Sequence, residues 1–161
     1  MSKTLVLIRH AQAEQPHLTE DSKRKLTAKG KSDANELGYL LKEQGLKKPI
    51  IISSYAERAL NTAKLIAPAV EVTAAEVIVE NTLYDAAVND LLRFINKLDN
   101  QWSLVAIVAH NPAISFTAEY LTNENSLGFS PSSAATIRFD IEEWGMITQG
   151  SGSLLDFKTV F

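Results

Sequence analysis

Apolar and polar residues alternate in blocks along the chain, and the first block organises the rest. Residues 5–8 form a short apolar run, Leu-Val-Leu-Ile, which is typical of a buried strand. The run ends in Arg9 and His10, and such groups are costly to bury unless they have partners or a function. Ligands of open α/β sheets bind beyond the carboxyl ends of the strands. The pattern therefore predicts an anion site at this strand end, with His10 as its reactive group.

Strand and helix patterns alternate along the rest of the chain. Further short apolar runs predict strands at 50–52, 76–80, 104–109, 134–141 and 153–160. Apolar residues at helical spacing predict four helices between these strands. One begins after the N-cap Thr27, one at a capping box of Ser54 and Glu57, one near residue 88, and one with Asn111 as N-cap and Pro112 at N1. This alternation predicts an α/β fold, a three-layer α/β/α sandwich with a mainly parallel central sheet.

Composition narrows the class of protein. The chain has 161 residues and shows no internal repeat, linker or low-complexity segment, so residues 1–161 are predicted to form one domain. A formal net charge of −3 argues against general binding to nucleic acid or acidic membranes, so any anion site needs a local cluster of positive charge. The chain has no cysteine, which excludes disulfides, thiolate zinc sites and a cysteine nucleophile. No apolar run reaches the length of a membrane span or resembles a signal peptide, which favours the cytoplasm.

Three predicted strands end in chemically related residues. The first ends in Arg9 and His10, the strand at 50–52 leads to Arg58 in the first turn of its helix, and the strand at 104–109 ends in His110. Because the carboxyl ends of parallel strands share one edge of a sheet, we expect these residues to lie together. Two guanidinium groups, two imidazoles and helix N-termini are suited to binding a phosphoryl group. Nearby arginine charges would keep His10 neutral, and a neutral imidazole can attack phosphorus.

Four segments of the sequence carry a family resemblance. They are Leu-Ile-Arg-His-Ala at 7–11, the pattern D-x-x-R-x-L-T-x-x-G at 21–30, Ser-Ser followed by Arg-Ala and Thr-Ala at 53–63, and Val-Ala-His-Asn-Pro at 108–112. In this order and at these distances they resemble the histidine phosphatase superfamily, which has the phosphoglycerate-mutase-like fold. The resemblance is greatest to its small phosphohistidine phosphatase branch, the SixA type.

The resemblance implies a role for each site residue. His10 would accept the phosphoryl group, and water would then hydrolyse the resulting phosphohistidine. Three residues would hold the transferring oxygens: Arg9, Arg58 and His110. Arg24 would add a contact at the mouth of the pocket, and Asn111 would be a further substrate-binding residue. Such a mechanism needs no metal or other cofactor, because fixed positive side chains stabilise the transferring charge.

Some positions depart from the superfamily pattern. Ala11 replaces the usual glycine, which favours the small branch, and Ala109 replaces a second glycine before the later histidine. The superfamily's proton donor is an acid near the middle of the chain. Here the candidates are Glu80 and Asp85, and neither lies in a clear motif. A phosphohistidine substrate has a high-energy P–N bond, so its leaving group needs less help from an acid.

The predicted function is hydrolysis of a phosphoryl group through a phosphohistidine intermediate, with protein phosphohistidine as the substrate. A chain of 161 residues has little room for a lid, and an open site suits a phosphorylated protein surface. One alternative is a phosphatase or mutase acting on small phosphate esters, which a well-placed acid at Glu80 or Asp85 would favour. Another is a catalytically inactive phosphate-binding module. The presence of Arg9, His10, Arg58 and His110 argues against this alternative. A zinc site of His10, Glu14 and His110 lacks the usual ligand spacing.

Overall fold

The computed structural model describes residues 2–16 and 19–161, and within these ranges the chain forms a six-stranded sheet. The strands are Lys3–Arg9 (β1), Ile50–Ser53 (β2), Ile78–Val79 (β3), Leu104–Ala109 (β4), Ser133–Phe139 (β5) and Gly152–Thr159 (β6). The α-helices are Ala28–Glu43 (α1), Glu57–Ile66 (α2), Val88–Asn96 (α3) and Ala113–Thr122 (α4). In the part of the chain that is described, no helix combines the length and apolarity that crossing a bilayer requires.

The strand order of the sheet is β3-β2-β4-β1-β5-β6. The strands β3, β2, β4 and β1 pair in parallel, while β5 and β6 pair antiparallel at the other edge. This confirms the predicted α/β class and its mainly parallel sheet. The two most apolar strands, β1 and β4, are direct neighbours, and Arg9 lies opposite Ala109 in their register. The residues that follow these strands, His10 and His110, therefore emerge side by side.

Alternate residues of each strand face two separate hydrophobic layers. Leu5 and Leu7 of β1 pack in one layer with apolar residues of α3 and α4. Val6 and Ile8 pack in the other layer with apolar residues of α1 and α2. All four side chains are almost fully buried, and each such burial stabilises the fold by about 1.5–3 kcal/mol. The three-layer arrangement is confirmed, and apolar side chains pack β1 and β4 on both faces.

Several local predictions are confirmed, and others are corrected. Thr27 caps α1 by accepting a hydrogen bond from the Gly30 N–H at 2.9 Å. The predicted capping box of Ser54 and Glu57 is wrong, because Ala56 occupies the N-cap position of α2 and no side chain caps it. The predicted strand at 76–80 shortens to β3, since residues 74–76 form a 3-10 turn with its own capping box.

The start of α4 also differs from the prediction. The helix begins at Ala113, with Pro112 in the N-cap position rather than at N1. Asn111 lies one residue further out, although its Oδ1 accepts a hydrogen bond from the Ser115 N–H at 3.3 Å. Asn111 therefore still satisfies one of the free N–H groups at the start of the helix.

Candidate active site

The candidate active site lies where β1 and β4 end. The ring centroids of His10 and His110 are 5.2 Å apart. The His10 N–H donates to the Ala109 carbonyl at 3.2 Å, so the pairing of the two strands extends one residue beyond their ends. The parallel register thus brings together two histidines that are 100 positions apart in the sequence.

His10 is buried, with 8 % of its surface exposed, and its ring is oriented by the backbone. Its Nδ1 lies 2.7 Å from the Ala11 carbonyl oxygen. Because a carbonyl only accepts, Nδ1 carries the proton and Nε2 keeps a free lone pair. The pKa of His10 is lowered to about 3, mainly by burial and also by the nearby His110, Arg58 and Arg9, against the opposing effect of the hydrogen bond to Ala11. Burial therefore outweighs the arginine charges in keeping this imidazole neutral.

The loop after His10 is fixed by contacts with α1 and α2. The Ala11 N–H donates to Thr62 Oγ1 at 3.0 Å, which ties the loop to α2. A Cβ at Gly30 would lie 2.1 Å from the Gln12 carbonyl oxygen, so α1 can approach the loop this closely only with glycine there. The glycine that ends the 21–30 segment thus has a packing role, because it lets α1 lie against the Gln12 backbone, next to Ala11.

Arg9 is oriented by a backbone carbonyl of the loop before β5. Its NH1 donates to the Phe129 oxygen at 2.9 Å, and Asn111 Nδ2 donates to the same oxygen at 3.0 Å. The Asn111 Oδ1 is occupied as well, since it accepts from the Ser115 hydroxyl at 2.6 Å. Asn111, which the sequence assigns to substrate binding, therefore makes protein contacts through both ends of its amide and steadies the carbonyl that orients Arg9.

Arg58 is oriented by an acidic residue that the sequence analysis did not assign to the site. It is 7 % exposed, and its NH1 and NH2 donate to the Asp21 carbonyl at 2.8 Å and to Asp21 Oδ2 at 3.0 Å. Arg24 donates to Asp21 Oδ1 at 3.1 Å and to the Glu14 carbonyl at 2.7 Å. The Tyr84 hydroxyl donates to Asp21 Oδ2 as well. Asp21 thus joins both arginines of this side of the pocket to one tyrosine.

The Asp21 carboxylate stays ionised in this network. The Tyr84 hydroxyl, followed by Arg24 and Arg58, lowers the pKa of Asp21 to about 2. The same hydrogen bond raises the pKa of Tyr84 to about 12, because the phenol proton is shared with a negative group. At neutral pH the cluster therefore holds one carboxylate against two guanidinium groups, and the Tyr84 proton is firmly held.

His110 is oriented by a side chain rather than by the backbone. Its Nε2 lies 2.9 Å from Ser54 Oγ, which itself accepts from the Ala56 N–H at 3.3 Å. Burial and the Arg58 charge lower the pKa of His110 to about 4, so this ring is neutral too. Among the described residues, His110 Nδ1 is buried and has no hydrogen-bond partner. Ser54, expected from the sequence to be a helix cap, instead forms a hydrogen bond with His110 in the candidate site.

The two predicted proton donors lie outside this hydrogen-bond network. The Glu80 carboxylate accepts from the Thr82 N–H at 3.3 Å and from the Thr82 hydroxyl at 2.9 Å, where it caps the 3-10 turn Asn81–Leu83. Asp85 is exposed in the loop that follows. Across residues 2–16 and 19–161, neither carboxylate makes a hydrogen bond to His10 or His110.

Guanidinium groups supply the positive charge of the pocket. In the described part of the chain, no three histidine or acidic side chains are arranged to hold a metal ion. The zinc ligand set considered from the sequence is therefore not assembled, and the Glu14 side chain is exposed. The pocket instead gathers three arginines that the sequence motifs had pointed to: Arg9, Arg24 and Arg58.

Sequence reasoning assigned no role in the site to Tyr84 or Asp21, and it interpreted Ser54 as a helix cap. Asp21 is the first residue of the matched 21–30 segment, so the motif itself was the signal. Ser54 fits a local helix-capping pattern, which gave no indication of its contact with His110, 56 positions away. Tyr84 carried no local signal, since its partner Asp21 is 63 positions away.

Solved structures of other proteins have the same fold. A solved structure provisionally assigned as phosphohistidine phosphatase SixA from Nakamurella multipartitia superposes with a TM-score of 0.84 at 22% identity, covering 99% of this chain and 96% of that one. The structure of the protein histidine phosphatase SixA complexed with tungstate gives a TM-score of 0.80 at 20% identity, covering 96% of this chain and 95% of that one. Both structural similarities show that this chain has the same fold as those proteins.

The sequence relationships show the family. The chain is 38% identical over 94 residues to the 2,3-bisphosphoglycerate-dependent phosphoglycerate mutase of Bartonella henselae, a match covering 56% of this chain and 46% of that protein. The matched part thus spans about half the length of the curated relative. The family model of the histidine phosphatase superfamily, branch 1, matches residues 5–91, which include Arg9, His10, Arg24 and Arg58. The chain belongs to the histidine phosphatase superfamily, branch 1.

Proposed function

We propose that residues 1–161 act as one histidine phosphatase domain that hydrolyses protein phosphohistidine through a covalent intermediate on His10. The observation that carries the proposal is the state of His10. The ring is buried and neutral, and its proton is held on Nδ1 by the Ala11 carbonyl. A nucleophile toward phosphorus needs a free lone pair, and Nε2 has one.

In the first step, His10 Nε2 forms a bond to phosphorus while the P–N bond of the substrate breaks. The electron pair of that bond returns to the substrate's ring nitrogen. Arg9 and Arg58 bind the phosphoryl oxygens, since guanidinium groups stabilise the charge of the transferring group. If the Ser54 hydroxyl donates to His110 Nε2, the His110 proton lies on the unpartnered Nδ1 and is free for a phosphoryl oxygen.

In the second step, water attacks phosphorus and the bond to His10 breaks. Both water protons stay with the product, which leaves as dihydrogen phosphate, and His10 regains its neutral form with the proton still on Nδ1. The arginines supply the positive charge that this step needs, so the proposal includes no metal ion or other cofactor.

The protonation states around the pocket support phosphohistidine over a phosphate ester. His10 and His110 are neutral, the pKa of Asp21 is lowered to about 2 and that of Tyr84 is raised to about 12. None of these four groups is an acid with a pKa near neutrality, which efficient proton donation to a leaving group requires. An alkoxide needs such a proton. A phosphohistidine ring already protonated on its other nitrogen leaves as neutral imidazole without one.

A second candidate is hydrolysis or transfer of small phosphate esters. The observation that favours it is the 38% identity over 94 residues to a phosphoglycerate mutase. This candidate requires Glu80 or Asp85 to reach the leaving oxygen when substrate is bound.

The test compares two substrates at saturating chelator, a histidine-phosphorylated protein and 3-phosphoglycerate. The wild type is expected to hydrolyse the first, and His10→Ala to lower its turnover by at least about 10³-fold. An alkaline quench of the wild type should trap phosphate on His10. Turnover of neither substrate, or unchanged activity of His10→Ala, would contradict the proposal.

The variants Glu80→Gln and Asp85→Asn separate the two candidates. Phosphohistidine hydrolysis should change less than about twofold in either variant, since that leaving group needs no acid. If 3-phosphoglycerate is the better substrate and one of these changes lowers its turnover by about 10²-fold or more, the ester candidate is correct instead.

A further inference from the structure

Two tyrosines extend the aromatic surface of the pocket outwards from His110. The Tyr84 ring meets the His110 ring edge-on, with centroids 5.7 Å apart at 90°. The Tyr55 ring then packs on Tyr84 at 4.9 Å with a tilt of 43°. Tyr55 directly follows Ser54, which orients His110, so the strand end that serves the histidine also places the outer tyrosine. The three rings form a continuous row.

The two tyrosines differ in how they are held. Tyr84 is fixed by its hydrogen bond to Asp21, and the Arg58 guanidinium lies 6.0 Å from its ring centroid. Tyr55 is 40% exposed, and it lies outside the hydrophobic clusters formed by the described residues. An exposed aromatic ring held against a fixed one, beside a pocket for anions, offers a surface for a flat ligand.

The position of the row relates it to the leaving group. In the proposed mechanism, attack by His10 requires the leaving group to depart on the far side of phosphorus, and Arg9, Arg58 and His110 bind the transferring oxygens. The leaving group therefore departs past the residues that border Arg58 and His110 on the outside. Tyr84 contacts both of these residues, and Tyr55 continues from it to the surface.

We propose that Tyr55, supported by Tyr84, forms a subsite for the imidazole ring of the phosphohistidine substrate; this rests on the proposed function. Aromatic rings in offset or edge-on contact stabilise each other by about 0.5–1.5 kcal/mol. The departing ring is protonated on its second nitrogen, and a cation is attracted to the face of a tyrosine. Tyr55 thus favours the protonated ring until the P–N bond breaks, when the electron pair returns to the ring and it departs as neutral imidazole. The subsite selects phosphoramidates with an aromatic leaving group.

The test compares two substrates that differ only in the leaving group, a phosphohistidine peptide and phosphoramidate, which releases ammonia. The measured quantity is the ratio of the two kcat/KM values. Tyr55→Ala is expected to lower this ratio roughly 2- to 12-fold, which is the stacking energy converted to a rate. Tyr55→Phe keeps the ring and should keep the ratio within about twofold. Tyr39→Ala removes another exposed tyrosine, on α1, and should leave the ratio unchanged.

The outcomes separate this inference from the proposed function. If the wild type turns over both substrates and Tyr55→Ala leaves the ratio unchanged, the subsite is refuted and the phosphatase activity stands. An equal effect of Tyr55→Phe and Tyr55→Ala would also refute stacking, because it would assign the effect to the hydroxyl. If the wild type turns over neither substrate, the proposed function fails and the subsite with it. Thermal unfolding of each variant checks that the fold is retained.

Discussion

The two arginines that we assign to the phosphoryl group are held in different ways. Arg9 donates to the backbone carbonyl of Phe129, a buried residue whose oxygen also accepts from Asn111. Arg58 donates twice to Asp21, whose side chain is 47% exposed and carries a full negative charge. One arginine is therefore positioned by a neutral, buried dipole, and the other is already paired with an anion at the mouth of the pocket.

The two histidines show the same contrast. His10 is oriented by the carbonyl of the next residue, Ala11, while His110 is oriented by the Ser54 hydroxyl on another strand end. The half of the pocket with Arg9 and His10 is thus set by backbone carbonyls, while the half with Arg58 and His110 depends on the side chains of Asp21 and Ser54 as well as on the Asp21 carbonyl. A side-chain partner can be replaced by a single mutation, whereas a backbone carbonyl cannot. Mutations around Arg58 and His110 can therefore test the difference between the two halves of the pocket.

The largest effect is expected from removing the arginines. Arg9→Ala and Arg58→Ala should each lower kcat/KM by about 10²–10³-fold, because each removes a charged donor to the transferring oxygens. Arg58→Ala also leaves the Asp21 carboxylate beside the pocket without that partner, where it repels the substrate. Asp21→Asn should therefore recover part of the loss in the Arg58→Ala background and a smaller part in the Arg9→Ala background, where Arg58 still neutralises the carboxylate.

A double-mutant cycle on kcat/KM measures this difference. Equal recovery by Asp21→Asn in both backgrounds, or recovery in neither, would show that Asp21 does not act through Arg58. Arg93→Ala, on the exposed face of α3, provides a matched arginine control and should leave kcat/KM unchanged.

A smaller effect is expected at the partner of His110. Ser54→Ala removes the hydroxyl that orients Nε2 and should lower kcat/KM by roughly 3- to 10-fold, the net value of one hydrogen bond. The ¹⁵N chemical shifts of His110 should show a proton on Nδ1 in the wild type and a mixture of tautomers in the variant. The control is Ser53→Ala, since Ser53 is equally buried but donates to the Ser54 carbonyl instead. If the His110 tautomer is unchanged in Ser54→Ala, Ser54 does not position the His110 ring.

The strand ends that carry Arg9, His10 and His110 are the part of the pocket that the apolar pattern predicts directly. The apolar run of β1 ends at Arg9 and His10, and the equally apolar β4 ends one residue before His110. Both strands are buried on two faces, which is what a continuous apolar run indicates. The structure shows that these two strands are neighbours, in a register that brings Arg9 opposite Ala109.

The side chains that orient Arg58 and His110 were not predicted, because their contacts are long-range. Residues 21–25 are a charged run, which usually indicates a solvated loop, and nothing local pairs Asp21 with Arg58 or Tyr84. Ser54 satisfied a local rule for helix capping, yet its hydroxyl bonds to His110 from another strand. Local patterns describe helix ends and strand faces, but they do not specify which side chains meet across loops.

The smallest effect is expected from Asp21 itself. Asp21→Asn keeps an oxygen that can accept from Arg58 but removes the charge that competes with phosphate for it. Inorganic phosphate should inhibit the variant roughly 2- to 5-fold more strongly than the wild type, the range for an exposed ion pair. Because the pKa of Asp21 is lowered to about 2, the wild-type carboxylate is ionised from pH 5 to 9, so titration of Asp21 adds no pH dependence to the difference across that range. Asp33→Asn, which removes a carboxylate paired with Lys29 on α1, controls for net charge. Weaker phosphate inhibition of Asp21→Asn would mean that the carboxylate mainly positions Arg58. Arg58 would then be positioned for phosphate before it binds, as Arg9 is.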